Sequence, residues 1–208
     1  MNSPVYNMRP QRPSAIPNVI FALLIINGVV FALQQLSPRF LMINFALWPA
    51  GPANSFMPWQ LLTYGFLHGD LMHIAFNMFA LWMFGRELEL MMGPRRFITY
   101  FFTCVIGAGI VQLIVANFQG GLYPTVGASG GVFGILLAYG LAFPNRTIML
   151  MFPPIPMKAK YFVLVFGLLE LYLGISGNAP GVANFAHLGG MLFGFLLLRY
   201  WTRGGRRR

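Results

Sequence analysis

The chain has 208 residues, of which 57% are hydrophobic and only 9% are charged. Soluble domains carry about a quarter charged residues, so this composition excludes an ordinary globular protein and indicates a polytopic membrane protein. The net charge of +10 would also fit a nucleic-acid-binding protein. However, the basic residues collect at the ends of apolar segments, which argues against nucleic acid as a partner. A single cysteine, Cys104, excludes a disulfide within the chain.

Six apolar segments of near span length predict an all-α bundle of six transmembrane helices. They cover approximately residues 17–36, 71–90, 97–117, 129–143, 161–175 and 185–200. Residues 1–16 and 201–208 are expected to be a cytoplasmic N-terminal segment and a basic cytoplasmic tail around a six-span domain, 17–200. If the spans alternate, Arg39 alone falls opposite the other basic residues of the connectors and ends, so the positive-inside rule predicts cytoplasmic termini. The long first loop, 37–69, is apolar but proline-rich and is expected to lie in the membrane interface.

The fourth segment is short and begins at a serine between glycines, in the run Gly127-Ala128-Ser129-Gly130. From Ser129 to Phe143 a helix rises about 22 Å, less than the hydrocarbon core of about 30 Å. Ser129 is therefore expected several Å below the outer surface. The same arithmetic, about 18 Å from the inner end in each case, brings His187 of span six and Asn77 of span two to a similar depth.

Glycines separated by four residues predict that spans four and six approach each other closely. Gly130 and Gly134 form one such pair, and Gly190 and Gly194 form the other. Small residues at this spacing let helix backbones come together in lipid, which would bring Ser129 next to His187.

A serine and a histidine at one depth indicate nucleophilic catalysis, because serine needs an adjacent base to become a nucleophile. Ser129 is the candidate nucleophile and His187 the candidate base. The only carboxylate after Ser129 is Glu170, which stays unassigned and could equally be protonated and bonded to a neighbouring helix. Asp70 lies at the outer edge of span two. The prediction is therefore a dyad without an acid, with His187 oriented by packing or backbone.

His73 and Asn77 share one face of span two and can both donate hydrogen bonds. Together with the Ser129 backbone N–H, they are candidates for stabilising an oxyanion. An interhelical hydrogen bond is the alternative role for Asn77. On a continuous helix, His68 and His73 would point about 140° apart, and no further ligand set accompanies them, so no metal site is predicted. His68 is expected to fix the junction between the first loop and span two.

These motifs, taken in order, resemble the rhomboid family of intramembrane serine proteases. The residues that carry the resemblance are His68-x4-His73-x3-Asn77, Gly85-x3-Glu89-x3-Gly93, Gly127-Ala128-Ser129-Gly130 and Ala186-His187-x2-Gly190. The resemblance implies a six-span rhomboid-like bundle, a Ser129–His187 dyad and an oxyanion site made by His73, Asn77 and the Ser129 amide. Supporting positions are His68, Gly127, Gly130, Phe133 and Glu89.

The resemblance also implies single-span transmembrane proteins as substrates, within the lipid bilayer, and no metal or organic cofactor. Substrates would pass between spans two and five, past Phe76, under a capping loop at residues 177–184. The compact form favours a bacterial inner membrane. The sequence indicates neither the physiological substrate nor an oligomeric state.

Two positions depart from the family pattern. Gln60 follows Trp59 where many members have arginine, and glutamine cannot form the charged bidentate bonds of arginine, so the anchoring of the first loop is an open question. Phe133 stands where some relatives have tyrosine, which leaves an aromatic wall beside His187 without a hydroxyl.

Two other functions remain alternatives. A noncatalytic rhomboid-like protein would bind or escort transmembrane clients, and a transporter with a broken helix also uses polar residues at membrane depth. Gly127-x-Ser129-x-Gly131 matches the nucleophile motif of α/β-hydrolases as well, but the helical context and the missing acid argue against that fold.

Overall fold

The computed structural model describes residues 16–49, 51, 56–120, 123–149, 154–178 and 183–205. These residues form helices joined by short connectors and one small hairpin. The elements are α1 (Asn18–Leu36), α2 (Pro38–Phe45), α3 (Gln60–Thr63), a 3-10 turn (Tyr64–Phe66), α4 (Leu71–Met92), α5 (Pro94–Gln119), α6 (Ser129–Ala142), β1 (Thr147–Met149), β2 (Pro156–Lys158), α7 (Ala159–Ser176) and α8 (Asn184–Gly205). Most of the predicted N-terminal segment, the end of the basic tail, and residues 179–182 of the capping loop lie outside the described residues.

The six predicted spans correspond to α1 and α4 to α8, which confirms the all-α polytopic bundle. In the described part of the chain, α1, α5 and α7 are each long and apolar enough to cross a membrane. The predicted short fourth helix is α6, with 14 residues. The chain is an integral membrane protein. The end of the bundle where α4, α6 and α8 begin is called the upper end below, and the opposite end the lower end.

At the lower end, α1 is fastened to α4 by a carboxylate. Glu89 is buried near the end of α4 and accepts hydrogen bonds from the backbone N–H groups of Val19 at 3.0 Å and Ile20 at 2.8 Å. These are first-turn donors of α1, which have no partner within their own helix. Gly85, one turn earlier, makes room for the Ile20 side chain. Glu89 therefore supports helix packing at the end of the bundle remote from Ser129.

In the middle of the bundle, α6 and α8 meet through glycines, as predicted. A Cβ on Gly190 would collide with the carbonyl oxygen of Gly130, so the two backbones are in direct contact. The prediction for Gly194 was wrong, because this residue faces Tyr100 and Cys104 of α5 instead of α6. Residues 190 and 194 lie about 40° apart around a helix, enough for α8 to pack on two neighbours at once.

The first loop is better anchored than its sequence suggested. Gln60 is fully buried, and its Oε1 accepts from the backbone N–H groups of Trp48 and Met57, both at 3.3 Å. The indole N–H of Trp59 donates to the Asn44 carbonyl at 2.9 Å. An uncharged glutamine thus holds this loop through backbone groups. Part of the predicted broken connector is also regular, as helices α2 and α3.

Candidate active site

Ser129 is the first residue of α6. Backbone hydrogen bonds hold the loop that precedes it. Thr125 and Leu47 exchange two backbone hydrogen bonds, at 2.9 and 3.0 Å, and Gly127 N–H donates to the Tyr64 carbonyl at 2.9 Å. Gly127 has φ +122°, a conformation that favours glycine. A Cβ there would also lie 2.7 Å from His73 Nε2 and 3.5 Å from Ser129 Oγ. Gly127 therefore allows the oxyanion candidate and the nucleophile candidate to share one small space.

The hydroxyl of Ser129 and the imidazole of His187 are in hydrogen-bond contact. Ser129 Oγ lies 2.9 Å from His187 Nε2, across the α6–α8 packing formed by Gly130 and Gly190. The ring of Phe133, one turn after Ser129, stacks on the imidazole with centroids 4.3 Å apart and planes within 6°. The contact fixes the plane of the His187 ring, so the ring nitrogen is held toward the hydroxyl.

His73 and Asn77 face the same cavity as Ser129. Gly69 N–H donates to His73 Nδ1 at 3.3 Å, so Nδ1 is an acceptor and the proton of the neutral ring is on Nε2, the nitrogen near Ser129. Asn77 donates one amide hydrogen to the His73 carbonyl at 2.9 Å and keeps a second. Both side chains therefore have a proton to donate to a charge that develops beside Ser129.

His68 lies in the loop before α4, not on the helix, so the expected 140° separation from His73 was wrong. The two rings meet edge to face with centroids 5.1 Å apart. Gln34 of α1 fixes the His68 backbone, accepting from its N–H at 3.1 Å and donating to its carbonyl at 2.7 Å. Burial, and then the neighbouring His73 ring, lower the pKa of His68 to about 4, so the ring is neutral near pH 7. Within the described residues, no third His, Cys, Asp or Glu joins these two histidines.

A cavity of about 780 Å³ connects these groups to the gap between α4 and α7. Its polar wall includes Asp70, His73, Asn77, Thr125, Ser129 and His187. Its apolar walls include Phe76 and Met83 of α4 together with Phe162 and Phe166 of α7. Phe76, which lines the cavity, is 54% exposed. The cavity is large enough for several side chains of an extended peptide.

Sequence reasoning missed one neighbour of His187, because the dyad was predicted to lack an acid. Glu170 Oε2 lies 2.9 Å from His187 Nδ1, and the Asn184 side chain donates to the same oxygen at 2.6 Å. The depth of Glu170 in the membrane could have indicated this contact. Glu170 lies about 15 Å above Lys160, and His187 lies at a similar height, about 18 Å above the inner end of span six. Depth does not reveal how α7 is rotated, and rotation decides whether the carboxylate faces α8.

A sequence model described as "Rhomboid domain" matches residues 55–203, which is most of the chain. The chain belongs to the rhomboid family. The matched region of this rhomboid contains α3 to α8 apart from the last residues of α8, and therefore every polar residue of the cavity.

Three curated relatives illustrate the similarity. The rhomboid is 32% identical over 190 residues to Rhomboid protein 1, mitochondrial, of Saccharomyces cerevisiae, covering 86% of this chain and 52% of the relative. It is 35% identical over 139 residues to Rhomboid protease GluP of Bacillus subtilis, covering 66% of this chain and 25% of the relative. It is 28% identical over 191 residues to Rhomboid protease GlpG of Klebsiella pneumoniae, covering 90% and 64%. The rhomboid thus spans between a quarter and two thirds of the length of these relatives.

Proposed function

We propose that this chain is an intramembrane serine endopeptidase that cleaves transmembrane segments of membrane proteins. The observation that carries the proposal is the 2.9 Å contact between Ser129 Oγ and His187 Nε2 at the edge of a cavity between helices. Family membership and two relatives named as rhomboid proteases support the same chemistry.

In the proposed reaction, the first step forms an acyl-enzyme. His187 Nε2 takes the Ser129 proton as the oxygen attacks the substrate carbonyl carbon, and the carbonyl electron pair moves to its oxygen. In this proposal, His73 Nε2–H, Asn77 and the Ser129 N–H donate hydrogen bonds to that oxyanion. Collapse of the tetrahedral species breaks the C–N bond, and the imidazolium gives its proton to the leaving amine. A water molecule, activated by His187, then releases the acyl group by the reverse sequence of proton transfers.

The substrate is proposed to enter sideways through the gap between α4 and α7. In the described part of the chain the aromatic pair Phe84 and Phe162, with ring centroids 6.1 Å apart, bridges these helices toward the lower end. Nearer the upper end the cavity separates them, and Phe76 stands at its margin. A transmembrane helix must unwind locally to present a peptide bond to Ser129, because helical backbone groups are already hydrogen-bonded.

Reaction with a fluorophosphonate probe tests the chemistry without knowledge of the substrate. Purified wild type in detergent or liposomes is expected to label, whereas Ser129→Ala and His187→Ala are not. Cleavage of a panel of single-span reporter proteins in proteoliposomes should follow the same pattern. A folded wild type that neither labels nor cleaves would instead support a noncatalytic protein that binds transmembrane clients.

We further propose a bacterial inner membrane as the location, with both termini in the cytoplasm and residues 17–200 as the protease domain. Basic residues support this orientation: Arg95, Arg146 and Lys158 lie at the lower end, whereas Arg39 follows α1 at the upper end. The relatives named above come from a yeast mitochondrion and from bacteria, so they do not select a compartment. Reporter fusions at residues 1 and 208 that are active on the periplasmic side would contradict the orientation.

A further inference from the structure

Glu170 is an acid placed in the interior of a membrane helix. Glu170 lies within α7, six residues before its last residue, Ser176, and is only 8% exposed. Ionisable residues at such depth are costly, and their partners reveal their role. Both partners of Glu170 are on α8, namely Asn184 and His187.

Local packing brings this carboxylate to the start of α8. Gly174, one turn after Glu170 on α7, lies so close to α8 that a Cβ there would be 3.0 Å from the Phe185 ring and 3.3 Å from Asn184 Cβ. Residues four apart share a helix face, so Glu170 faces α8 as Gly174 does. Asn184 then holds the carboxylate oxygen at 2.6 Å, in line with His187 one turn further along α8.

The proposed reaction requires the neutral imidazole of His187 to carry its hydrogen on Nδ1. His187 Nε2 accepts the Ser129 proton only if Nδ1 carries the hydrogen of the neutral ring. Nδ1 is buried from solvent, and Glu170 Oε2 lies 2.9 Å from it. The N–H does not point straight at this oxygen, so the contact is close without being a well-aligned hydrogen bond. Such contacts in a free enzyme commonly tighten when the transition state forms.

The Glu170 carboxylate lies on the side of the imidazole opposite Ser129. The cavity is lined by His187 but not by Glu170, so the carboxylate has no direct access to a bound peptide. We propose that Glu170, held by Asn184, is the positioning residue of His187: it fixes the Nδ1–H tautomer and stabilises the imidazolium formed during acylation. This inference rests on the proposed protease function and extends the predicted dyad to an acid–base–nucleophile chain.

Glu170→Gln separates this role from a purely structural one. A glutamine oxygen still accepts from Asn184, so an interhelical hydrogen bond alone predicts wild-type kcat and wild-type thermal stability. Loss of the negative charge behind His187 is instead expected to lower kcat by about 10²- to 10⁴-fold, with KM little changed. Glu170→Asp keeps the charge and is expected to retain more activity than Glu170→Gln. The matched control is Glu87→Gln, which removes a carboxylate paired with Arg146 at the lower end of the bundle.

A second measurement does not depend on turnover. In protein labelled with ¹⁵N-histidine, the His187 resonances of the wild type are expected to show a protonated Nδ1, and Glu170→Ala should yield a mixture of tautomers. Wild-type kcat in Glu170→Gln, or a His187 tautomer unaffected by Glu170→Ala, would overturn the inference while leaving the protease proposal intact. Failure of the wild type to label with fluorophosphonate would reject the protease proposal, and the tautomer measurement would still decide whether Glu170 positions the ring.

Discussion

Replacing Gly190 by alanine tests whether close helix packing is what brings the Ser129 hydroxyl to His187. Gly190 lies one turn after His187 on α8, and its partner Gly130 follows Ser129 on α6. A Cβ at residue 190 would lie 2.7 Å from the carbonyl carbon of Gly130 and 3.1 Å from its Cα. Ordinary contacts between carbon atoms are about 3.5–4.0 Å, so the two helices must separate by about 1 Å.

That separation acts directly on the proposed reacting groups. The distance from Ser129 Oγ to His187 Nε2, now 2.9 Å, would rise to about 4 Å, beyond hydrogen-bond range. Misplacement of reacting groups by 1 Å can cost about 100-fold in rate, and overpacking costs about 1–3 kcal/mol of stability. Gly190→Ala is therefore expected to fold but to lose about 100-fold in kcat/KM.

The assay is cleavage of a transmembrane reporter in proteoliposomes, with the rate of fluorophosphonate labelling as a second readout and thermal melting as a check on folding. Gly28→Ala is the matched control, because this glycine of α1 has nothing within 4 Å of its Cβ position. A folded Gly190→Ala protein that cleaves and labels at the wild-type rate would refute the packing argument.

Three further predictions concern single residues. Gly127→Ala forces a residue with a Cβ into φ +122° and brings that Cβ toward His73 Nε2. The substitution should lower the free energy of unfolding by about 1–2 kcal/mol and slow fluorophosphonate labelling of Ser129. Labelling at the wild-type rate would contradict this prediction. Glu89→Ala leaves two first-turn N–H groups of α1 unpaired, which should cost about 1–3 kcal/mol and increase hydrogen exchange in α1, whereas wild-type exchange would count against this cap. The pKa of His68, lowered from 6.5 to about 4, makes the folded state less stable as pH falls through this window, by about 3 kcal/mol in total. Thermal melting of His68→Gln should lose that slope, and an equal slope in both proteins would refute it.

Hydropathy and helix rise predicted the frame of this molecule well, because both depend only on position along the chain. Runs of apolar residues gave the six long helices, and rise per residue brought Ser129, His187 and Asn77 to one depth. The family motifs added which of these polar groups belong together. Gly130 and Gly190 could also be predicted as a contact, since small residues at helical spacing have one main use in lipid.

Rotation of helices about their own axes was harder to predict. In a soluble protein the polar face of a helix shows which side points outward, but a helix in lipid is apolar on nearly every side. For this reason Gly194 of α8 was predicted to pack on α6 although it packs on α5, and no partner was predicted for Glu170. The predicted angle between His68 and His73 was wrong for a different reason. Asp70 caps α4 by accepting from His73 N–H at 2.8 Å, so the helix begins after His68.

The four acidic residues of the chain show why Glu170 stands apart. Asp70 caps the start of α4, Glu89 caps the start of α1, and Glu87 pairs with an arginine beyond α6. Free backbone N–H groups at a helix start compensate Asp70 and Glu89, and a basic side chain compensates Glu87. Glu170 has neither kind of partner, and the groups next to its carboxylate are an amide and the Nδ1 side of His187. Helix capping and an ion pair therefore account for the other three acids but not for Glu170, whose burial is balanced only if His187 carries a proton on the nitrogen that faces it.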